Sequence, residues 1–156
     1  MLYFQFEADF VEDEVRCIPM IVRFKLDTCG IKLKLNEWSK MNIEERNRLA
    51  ETPCHGSEEI DRYRTFVQLV VRNRCHQEAT PLAIDHDPVW AQLNKIPKLL
   101  QDKIAEFNIQ ISLDHWKALK TLQRFALIKL SAGGHEHKNL LKALEEFQLA
   151  GEHMTA

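Results

Sequence analysis

The sequence IPMIVRFKLDTCGIKLKLNEWSKMNIEERNRL, which spans residues 18–49, decides the fold because its pattern returns 78 residues later. The second copy is IPKLLQDKIAEFNIQISLDHWKALKTLQRFAL, residues 96–127, and it aligns with the first without a gap. Eight of the 32 aligned positions are identical, among them an Ile-Pro start, a central tryptophan and a later arginine. In the first copy the identical positions are Ile18, Pro19, Lys25, Ile31, Leu35, Trp38, Arg46 and Leu49.

This repeat predicts a single domain, residues 1–156, with an internal pseudo-twofold duplication. Two copies are too few for a solenoid, whose units stack in longer arrays. The predicted halves are residues 18–74 and 96–149, and residues 75–95 connect them. The alternative is that two amphipathic helix pairs of similar length align this well without a common origin.

Composition excludes several classes of function. The chain has 156 residues, 45% of them hydrophobic and 28% charged, which is the composition of an ordinary globular domain. A formal net charge of −2 lacks the excess of basic residues typical of proteins that bind nucleic acid or an anionic membrane. No apolar run reaches the length of a membrane span, and the acidic N-terminus lacks the basic region of a secretory leader. We therefore expect a cytoplasmic protein whose four scattered cysteines are free thiols.

The first 16 residues combine four aromatic with five acidic side chains. This pattern predicts an arm whose apolar side packs on the body of the protein while its acids remain in water. A partner surface is the alternative.

Each copy opens with a predicted helix. Proline suits the first helical turn and Gly30 suits the C-terminal cap, so the first helix is expected over residues 19–29 and its counterpart over 97–107. Alternating apolar and polar residues then predict short extended segments at 30–36 and 108–114. We expect these two segments to pair in a two-stranded ribbon, with two unpaired loops as the alternative.

A tryptophan helix follows each extended segment, with Asn36 and Asp114 as the predicted N-caps. The first of these helices is expected to break near Asn42, and the second to run without a break from Trp116 to Leu130. The predicted stops are Thr52-Pro53 and Gly133-Gly134.

Two further helices complete a mainly α fold with one short two-stranded ribbon. One runs from Ser57 to about Asn73, and the last from Asn139 to Leu149. The expected inward stripe of the first helix is Ile60, Tyr63, Val67, Val70 and Val71, and that of the last is Leu141, Leu144 and Phe147.

Several motifs together resemble one known family. These are FQFEADF at residues 4–10, RCIPM at 16–20, VRFKLDTCGIKL at 22–33, PC at 53–54 and LQRFALIKLS at 122–131. With them the chain resembles the conserved nitrate reductase-associated proteins over residues 4–147. The resemblance implies a small soluble protein of nitrate-assimilating bacteria, photosynthetic ones in particular. It also implies an accessory role toward assimilatory nitrate reductase, a molybdopterin and iron–sulfur enzyme, and it brings no catalytic residues.

Cations mark the candidate binding residues. Arginine gives bidentate contacts to carboxylate or phosphate groups, so a cationic cluster suits an acidic partner or a phosphate-bearing cofactor such as molybdopterin. No motif supports that cofactor, and none is assigned. The candidates for partner or anion binding are Arg16, Cys17, Arg23, Lys25, Asp27, Arg124 and Lys129. The alternative for Arg23 and Asp27, four residues apart, is a surface ion pair.

The remaining polar motifs are weaker. The Cys54-His55 and Cys75-His76 pairs carry metal-ligand side chains without the spacing of a zinc site. His135-Glu136-His137 lacks the helical spacing of the zincin motif, and Asp85-His86-Asp87-Pro88 has the composition of a turn. Trp38 and Trp116 are expected to be core anchors.

The sequence thus predicts a non-enzymatic accessory factor for the biogenesis, maturation or stability of assimilatory nitrate reductase. Its expected partners are the reductase apoenzyme or the machinery that matures it. The alternative is a sensor that binds a small molecule or cofactor linked to nitrate assimilation. An enzymatic function has only the Cys-His pairs and the His-Glu-His cluster in its favour.

Overall fold

A computed structural model describes residues 2–133 and 137–150 of the chain. By contact density the chain divides into two compact units, Met1–His86 and Asp87–Ala156. The boundary falls inside the predicted connector, and the described residues form a mainly α structure with one two-stranded sheet, as predicted.

The first unit contains five helices and both strands within its described residues. A 3-10 turn at Gln5–Glu7 leads into α1. The elements are α1 (Ala8–Val11), α2 (Met20–Cys29), β1 (Ile31–Lys32), α3 (Leu35–Ser39), α4 (Ile43–Glu51), α5 (Ser57–Cys75) and β2 (Thr80–Pro81).

Helix α2 begins and ends where the sequence predicts. Pro19 is its N-cap, and Gly30 closes it in the left-handed conformation with φ +83°. The Gly30 N–H donates to the Leu26 carbonyl over 2.9 Å. A Cβ at Gly30 would also lie 3.0 Å from both the Leu82 carbonyl oxygen and Cγ1 of Ile84, so glycine meets two requirements at once.

The predicted ribbon is present, but its predicted pairing is wrong. β1 pairs antiparallel with β2, with Ile31 opposite Pro81 and Lys32 opposite Thr80. The Leu82 N–H extends the pairing by donating to the Gly30 carbonyl over 2.8 Å. The chain returns to β1 soon after α5 and supplies a strand from the same unit, whereas residues 109–111 belong to the other unit.

The core of the first unit lies between α5 and the helices of the repeat. The predicted stripe of α5 is confirmed for Tyr63, Val67, Val70 and Val71, which are buried, whereas Ile60 at its start is half-buried. These side chains pack with others from the repeat, including Val22, Leu26, Cys29, Trp38, Met41 and Leu49.

The second unit is built from four described helices that follow a 3-10 turn at Val89–Ala91. They are α6 (Lys98–Ala105), α7 (Leu113–Ala118), α8 (Thr121–Ala132) and α9 (His137–Glu146). The largest fully buried side chains of this unit are Trp116, Phe125, Leu100, Ile104, Leu127, Leu140 and Leu144. Leu144 in α9 and Phe147, one residue after the helix, are buried as predicted, but Leu140 takes the place predicted for Leu141.

The second tryptophan helix breaks where the sequence predicted continuity. α7 ends at Ala118, and α8 begins at Thr121 after an extended Lys120. The Lys120 N–H donates to the Gln123 side chain over 2.8 Å. This bond supplies an acceptor for an N–H at the start of α8, where the helix itself provides none. The predicted stop at Gly133 is confirmed, because α8 ends one residue before it.

The tryptophan helices also begin slightly before the predicted caps. The N-caps are Lys34 and Ser112 instead of Asn36 and Asp114. The Glu37 carboxylate accepts from the Lys34 N–H over 2.9 Å, and the Ser112 hydroxyl accepts from the His115 N–H over 3.1 Å. In each case a hydrogen bond between the N-cap and the residue three positions later closes the first turn, and the sequence pattern singled out neither N-cap.

Helix starts in the two units correspond at the 78-residue spacing of the repeat. α2 and α6 begin at residues 20 and 98, α3 and α7 at 35 and 113, and α4 and α8 at 43 and 121. Gly30 and Asn108, also 78 residues apart, both have positive φ. These correspondences favour the duplication, which stays a prediction as to common origin.

Candidate partner-binding surface

The N-terminal arm is anchored to α2 by a buried acid. Glu7 is 2% exposed, and its carboxylate accepts from the Met20 N–H over 2.8 Å and from the Phe4 N–H over 3.3 Å. The prediction that the acids of the arm remain in water is therefore wrong for Glu7. Pro19 has no side-chain donor or acceptor to cap α2, so the carboxylate of Glu7 performs this function at the positive end of the helix. Val15 is buried with the arm.

Three of the predicted binding residues lie around the start of α2. Arg16 is exposed and pairs with Asp13, with 2.9 Å between Nε and Oδ2. Its Nη1 also lies 3.6 Å from Sγ of the half-buried Cys17. Arg23 donates to the Ile18 carbonyl over 3.0 Å. An exposed ion pair of this kind contributes about 0–1 kcal/mol, so Arg16 is available to exchange Asp13 for a partner carboxylate.

Lys25 faces inward from α2. Its ammonium donates to the carbonyls of Ala50 and Thr52 over 2.6 and 2.7 Å and lies 5.9 Å from the centre of the Tyr63 ring. Burial lowers the pKa of Lys25. The lysine therefore caps the C-terminal end of α4, where free carbonyls attract a cation, and is not part of the exposed surface. Asp27, two residues further on, is half-buried.

Two thiols lie near Lys25 in an environment that disfavours thiolates. Burial raises the pKa of Cys29 to about 12 and that of Cys54 to about 11. The Cys54 thiol donates weakly to the Lys25 carbonyl, with Sγ at 3.7 Å. Because the thiolate is the nucleophile and the metal ligand, this environment suits structural thiols.

The two Cys-His pairs lie at opposite ends of α5. Cys54 and His55 precede the helix, whereas Cys75 is its last residue and His76 its cap. A helix of 19 residues spans about 28 Å, so the pairs do not combine in one metal site. Among residues 2–133 and 137–150, no group of three or more His, Cys, Asp or Glu side chains is placed to hold a metal. His135, Glu136 and the side chain of His137 lie outside the described residues.

Arg124 is buried in the second unit and binds backbone carbonyls. Its Nε donates to Trp90 over 2.7 Å, and its Nη1 donates to Leu119 and, over 3.4 Å, to Trp116. The guanidinium also lies 5.9 Å from the centre of the Trp116 ring. Burial lowers the pKa of Arg124, although a guanidinium stays charged in proteins. Arg124 therefore stabilises the break between α7 and α8 from inside.

The same tryptophan–arginine arrangement occurs in the first unit. Both Trp38 and Trp116 are fully buried, as predicted. The Trp38 indole donates to the Val15 carbonyl over 2.8 Å, and Arg46, 5.8 Å from the ring centre, donates to the Glu14 carbonyl over 2.8 Å. The repeated tryptophans and arginines thus have structural functions in each unit.

Lys129 lies against two aromatic rings. Its ammonium is 5.6 Å from the ring centre of Trp90 and 5.3 Å from that of Phe125, and the two rings meet edge to face. Contacts of this kind contribute about 0.5–2 kcal/mol. The half-buried Lys129 is thus held on an aromatic pair of its own unit.

The predicted site residues do not converge on one site. Arg16, Cys17 and Arg23 gather at the start of α2, and the others are distributed over the interior or the second unit. Sequence reasoning missed exposed leucines, of which Leu35 is 62% and Leu69 50% exposed. Leu69 lies off the inward stripe of α5, and this offset is the signal that identifies it from sequence.

The described residues thus define a small, mainly helical protein whose buried charges bind its own backbone. None of the helices in these residues combines the length and apolar character needed to cross a bilayer. The chain belongs to the conserved nitrate reductase-associated protein family, whose sequence model matches residues 3–147. A search of curated proteins and a search of solved structures each found no significant match.

Proposed function

We propose that this protein is a non-enzymatic accessory factor that acts in the cytoplasm on the biogenesis, maturation or stability of assimilatory nitrate reductase. The observation that carries the proposal is the family match, which covers residues 3–147 and therefore nearly the whole chain. The family's description links its members to nitrate reductase, and the accessory function is our inference from it.

The chemistry of the side chains supports action by contact. Three buried charged side chains form hydrogen bonds with backbone groups of their own unit. They are Lys25, Arg124 and Glu7. The pKa of Cys29 and that of Cys54 are raised, so these thiols are not activated as nucleophiles. The start of α2, by contrast, presents the exposed Arg16 beside Arg23 and suits an acidic surface of the reductase or of its maturation machinery.

A deletion strain grown on nitrate tests this function. We expect lower nitrate reductase activity per unit of reductase polypeptide, together with a lower molybdenum or iron content of the purified enzyme. Normal activity and normal cofactor content would contradict the proposal.

The surface at the start of α2 is tested by complementing that strain with Arg16→Glu. We expect Arg16→Glu to restore less activity than the wild type and to recover less reductase in a pull-down. Arg62→Glu is the matched control, because Arg62 is also exposed and has only a 4.0 Å ion pair, with Glu58 on α5. Equal complementation by both variants would show that the start of α2 does not take part in the proposed contact.

A further inference from the structure

The second unit has a half-open groove between α6 and the segment that follows it. Its volume is about 250 Å³, and it is lined by Gln101, Ile104, Ala105, Ile109, Gln110 and Ile111. Ile104 and Ile109 form a buried apolar floor, with 1% and 5% of their surface exposed. Ala105 and Gln110 are exposed at its rim. The groove therefore combines an apolar floor with polar amides at the edge.

One wall of the groove has the character of a sheet edge. Burial alternates along residues 109–112, with Ile109 buried, Gln110 exposed, Ile111 half-buried and Ser112 exposed, which is the period of a strand. The Ile109 N–H donates to the Ile104 carbonyl over 3.1 Å. Within the described part of the chain, the backbone groups of Gln110 and Ile111 have no hydrogen-bond partner. Such an edge is a template for another strand.

The first unit shows what fills the corresponding position. Residues 30–32, which precede 108–110 by 78 positions, include β1, and the chain's own residues 80–82 pair antiparallel with them. The Leu82 N–H donates to the Gly30 carbonyl, and the Ile84 side chain reaches to 3.0 Å from where a Cβ on Gly30 would lie. Ile31 is buried there as Ile109 is in the second unit. In the first unit this position therefore holds an extended segment with aliphatic side chains.

We propose that the groove in the second unit binds an extended peptide segment of a partner protein, which adds as a strand to residues 108–110. Main-chain hydrogen bonds to the Asn108 carbonyl and to Gln110, the positions that correspond to Gly30 and Lys32 in the first unit, supply affinity. The neighbouring side chains of Ile104 and Ile109 select aliphatic side chains. The occupant has the chemistry of TPLAI, residues 80–84, whose first three residues pair with the equivalent edge in the first unit. The partner can be a protein other than nitrate reductase.

One difference between the units predicts the specificity of the groove. The position of Gly30 is taken by Asn108 in the second unit, and Asn108 has the same left-handed backbone, with φ +59°. A Cβ at Gly30 would lie 3.0 Å from both Cγ1 of Ile84 and the Leu82 carbonyl oxygen, and Asn108 carries such a Cβ. The occupant is therefore expected to carry a small residue at the position of Ile84, and its backbone is expected to lie a little further from residue 108 than Leu82 lies from Gly30.

The test titrates the ¹⁵N-labelled full chain with a synthetic peptide, ATPLAID, which copies residues 79–85. A second peptide carries the Ile84→Ala change. We expect saturable chemical-shift changes in residues 104–112, with a Kd of about 1 mM or tighter and with tighter binding of the alanine peptide. Ala105→Trp, which fills the groove, is expected to weaken binding at least about tenfold. Gln110→Pro, which removes a main-chain donor from the edge, is expected to do the same.

Ala118→Trp is the matched control, because Ala118 is also an exposed alanine at the last position of a helix in the same unit. It should bind the peptides as the wild type does, and circular dichroism checks that all variants fold. Three results would overturn the proposal: shifts at Gly30 and Leu82 in place of residues 104–112, equal binding of a scrambled peptide, or unchanged binding by Ala105→Trp. Concentration-dependent shifts of residues 104–112 without peptide would assign the edge to a second copy of this chain and would also overturn it.

Discussion

Single charged side chains hold the ends of several helices in this protein. Glu7 accepts from the first N–H of α2, Lys25 donates to the last carbonyls of α4, and Arg124 donates to carbonyls at the end of α7. Each charged group lies at the helix end whose partial charge has the opposite sign. It also binds backbone groups at that end, which burial has removed from water. These residues stabilise the breaks and turns that give the repeat its shape.

The cap supplied by Glu7 predicts a measurable loss of stability when its charge is removed. Glu7→Gln keeps the size of the side chain but removes the charge that faces the Met20 N–H, so the free energy of unfolding is expected to fall by about 1–3 kcal/mol. Urea unfolding followed by circular dichroism measures it. Glu12→Gln, an exposed acid of the same arm, should change stability by less than about 0.5 kcal/mol. Equal stabilities of the two variants would contradict the cap.

At this scale the sequence predicted the tryptophan anchors but not the buried charges. A fully buried Trp follows from its size and its place in a helical pattern, which are local properties. Glu7 meets its partner 13 residues away, and Lys25 meets Ala50 25 residues away. Local periodicity contains no information on such partners, so it assigns both charges to the surface.

Helix breaks depend on capping side chains. The two breaks of the repeat differ in whether the cap can be predicted from the sequence. Asn42 is itself a cap-forming residue, and its side-chain Oδ1 accepts from the Glu45 N–H over 2.8 Å. Lys120 has no such side chain, and the Gln123 amide reaches back to its N–H instead. The first break was therefore predictable and the second was not.

The cap at Asn42 gives a prediction with an internal control. Asn42→Ala is expected to destabilise the protein by about 1 kcal/mol, because the Glu45 N–H loses its acceptor. Asn36→Ala removes the residue that the sequence pattern wrongly assigned as a cap, and it should leave stability nearly unchanged. Thermal unfolding distinguishes the two variants. A larger loss for Asn36→Ala would show that α3 is capped as the sequence predicted.

The ribbon shows why strand partners are harder to predict than strands. Alternation along residues 30–36 correctly indicated an extended segment at its start, where β1 lies, but residues 35–36 already belong to α3. Its partner β2 contains Pro81, a residue that strand patterns disfavour and that an edge strand tolerates. The partner was therefore hidden in a stretch whose composition is typical of a connector.

At the scale of the whole chain, each unit has its own core and its own tryptophan–arginine pair, but the two units differ at one edge. In the first unit β2 covers residues 31–32, and in the second unit the corresponding edge faces the groove. In the first unit the predicted cations Arg16 and Arg23 lie at the start of α2, whereas Lys25 lies in the interior. The groove beside Ile109 is the surface of the second unit for which we propose peptide binding.

The stability of the whole chain is expected to fall at alkaline pH. Both Cys29 and Cys54 have a pKa raised above the ordinary value of 9.0, to about 12 and 11, so the folded chain keeps protons that the unfolded chain releases. Their contribution is complete below about pH 9 and is lost as pH rises toward 11 and beyond. Burial also raises the pKa of Tyr63, which acts in the same direction, whereas the lowered pKa of Lys25 acts in the opposite direction.

Urea unfolding at pH 8 and pH 10, under reducing conditions, measures this loss. Between pH 8 and pH 10 the free energy of unfolding of Cys54→Ala should fall by about 1 kcal/mol less than that of the wild type, because one of the thiols that ionise on unfolding is absent. An identical loss in both proteins would show that the Cys54 thiol ionises as easily in the folded chain as in the unfolded one.

The three indoles, two of them fully buried and one half-buried, also make the protein its own optical reporter. Trp38 is in the first unit, whereas Trp90 and Trp116 are in the second. A Trp38→Phe variant therefore emits only from the second unit, and a variant with phenylalanine at both other positions emits only from the first. Comparing their fluorescence during denaturation tells an experimenter whether the repeat halves melt together or in sequence, without any added dye.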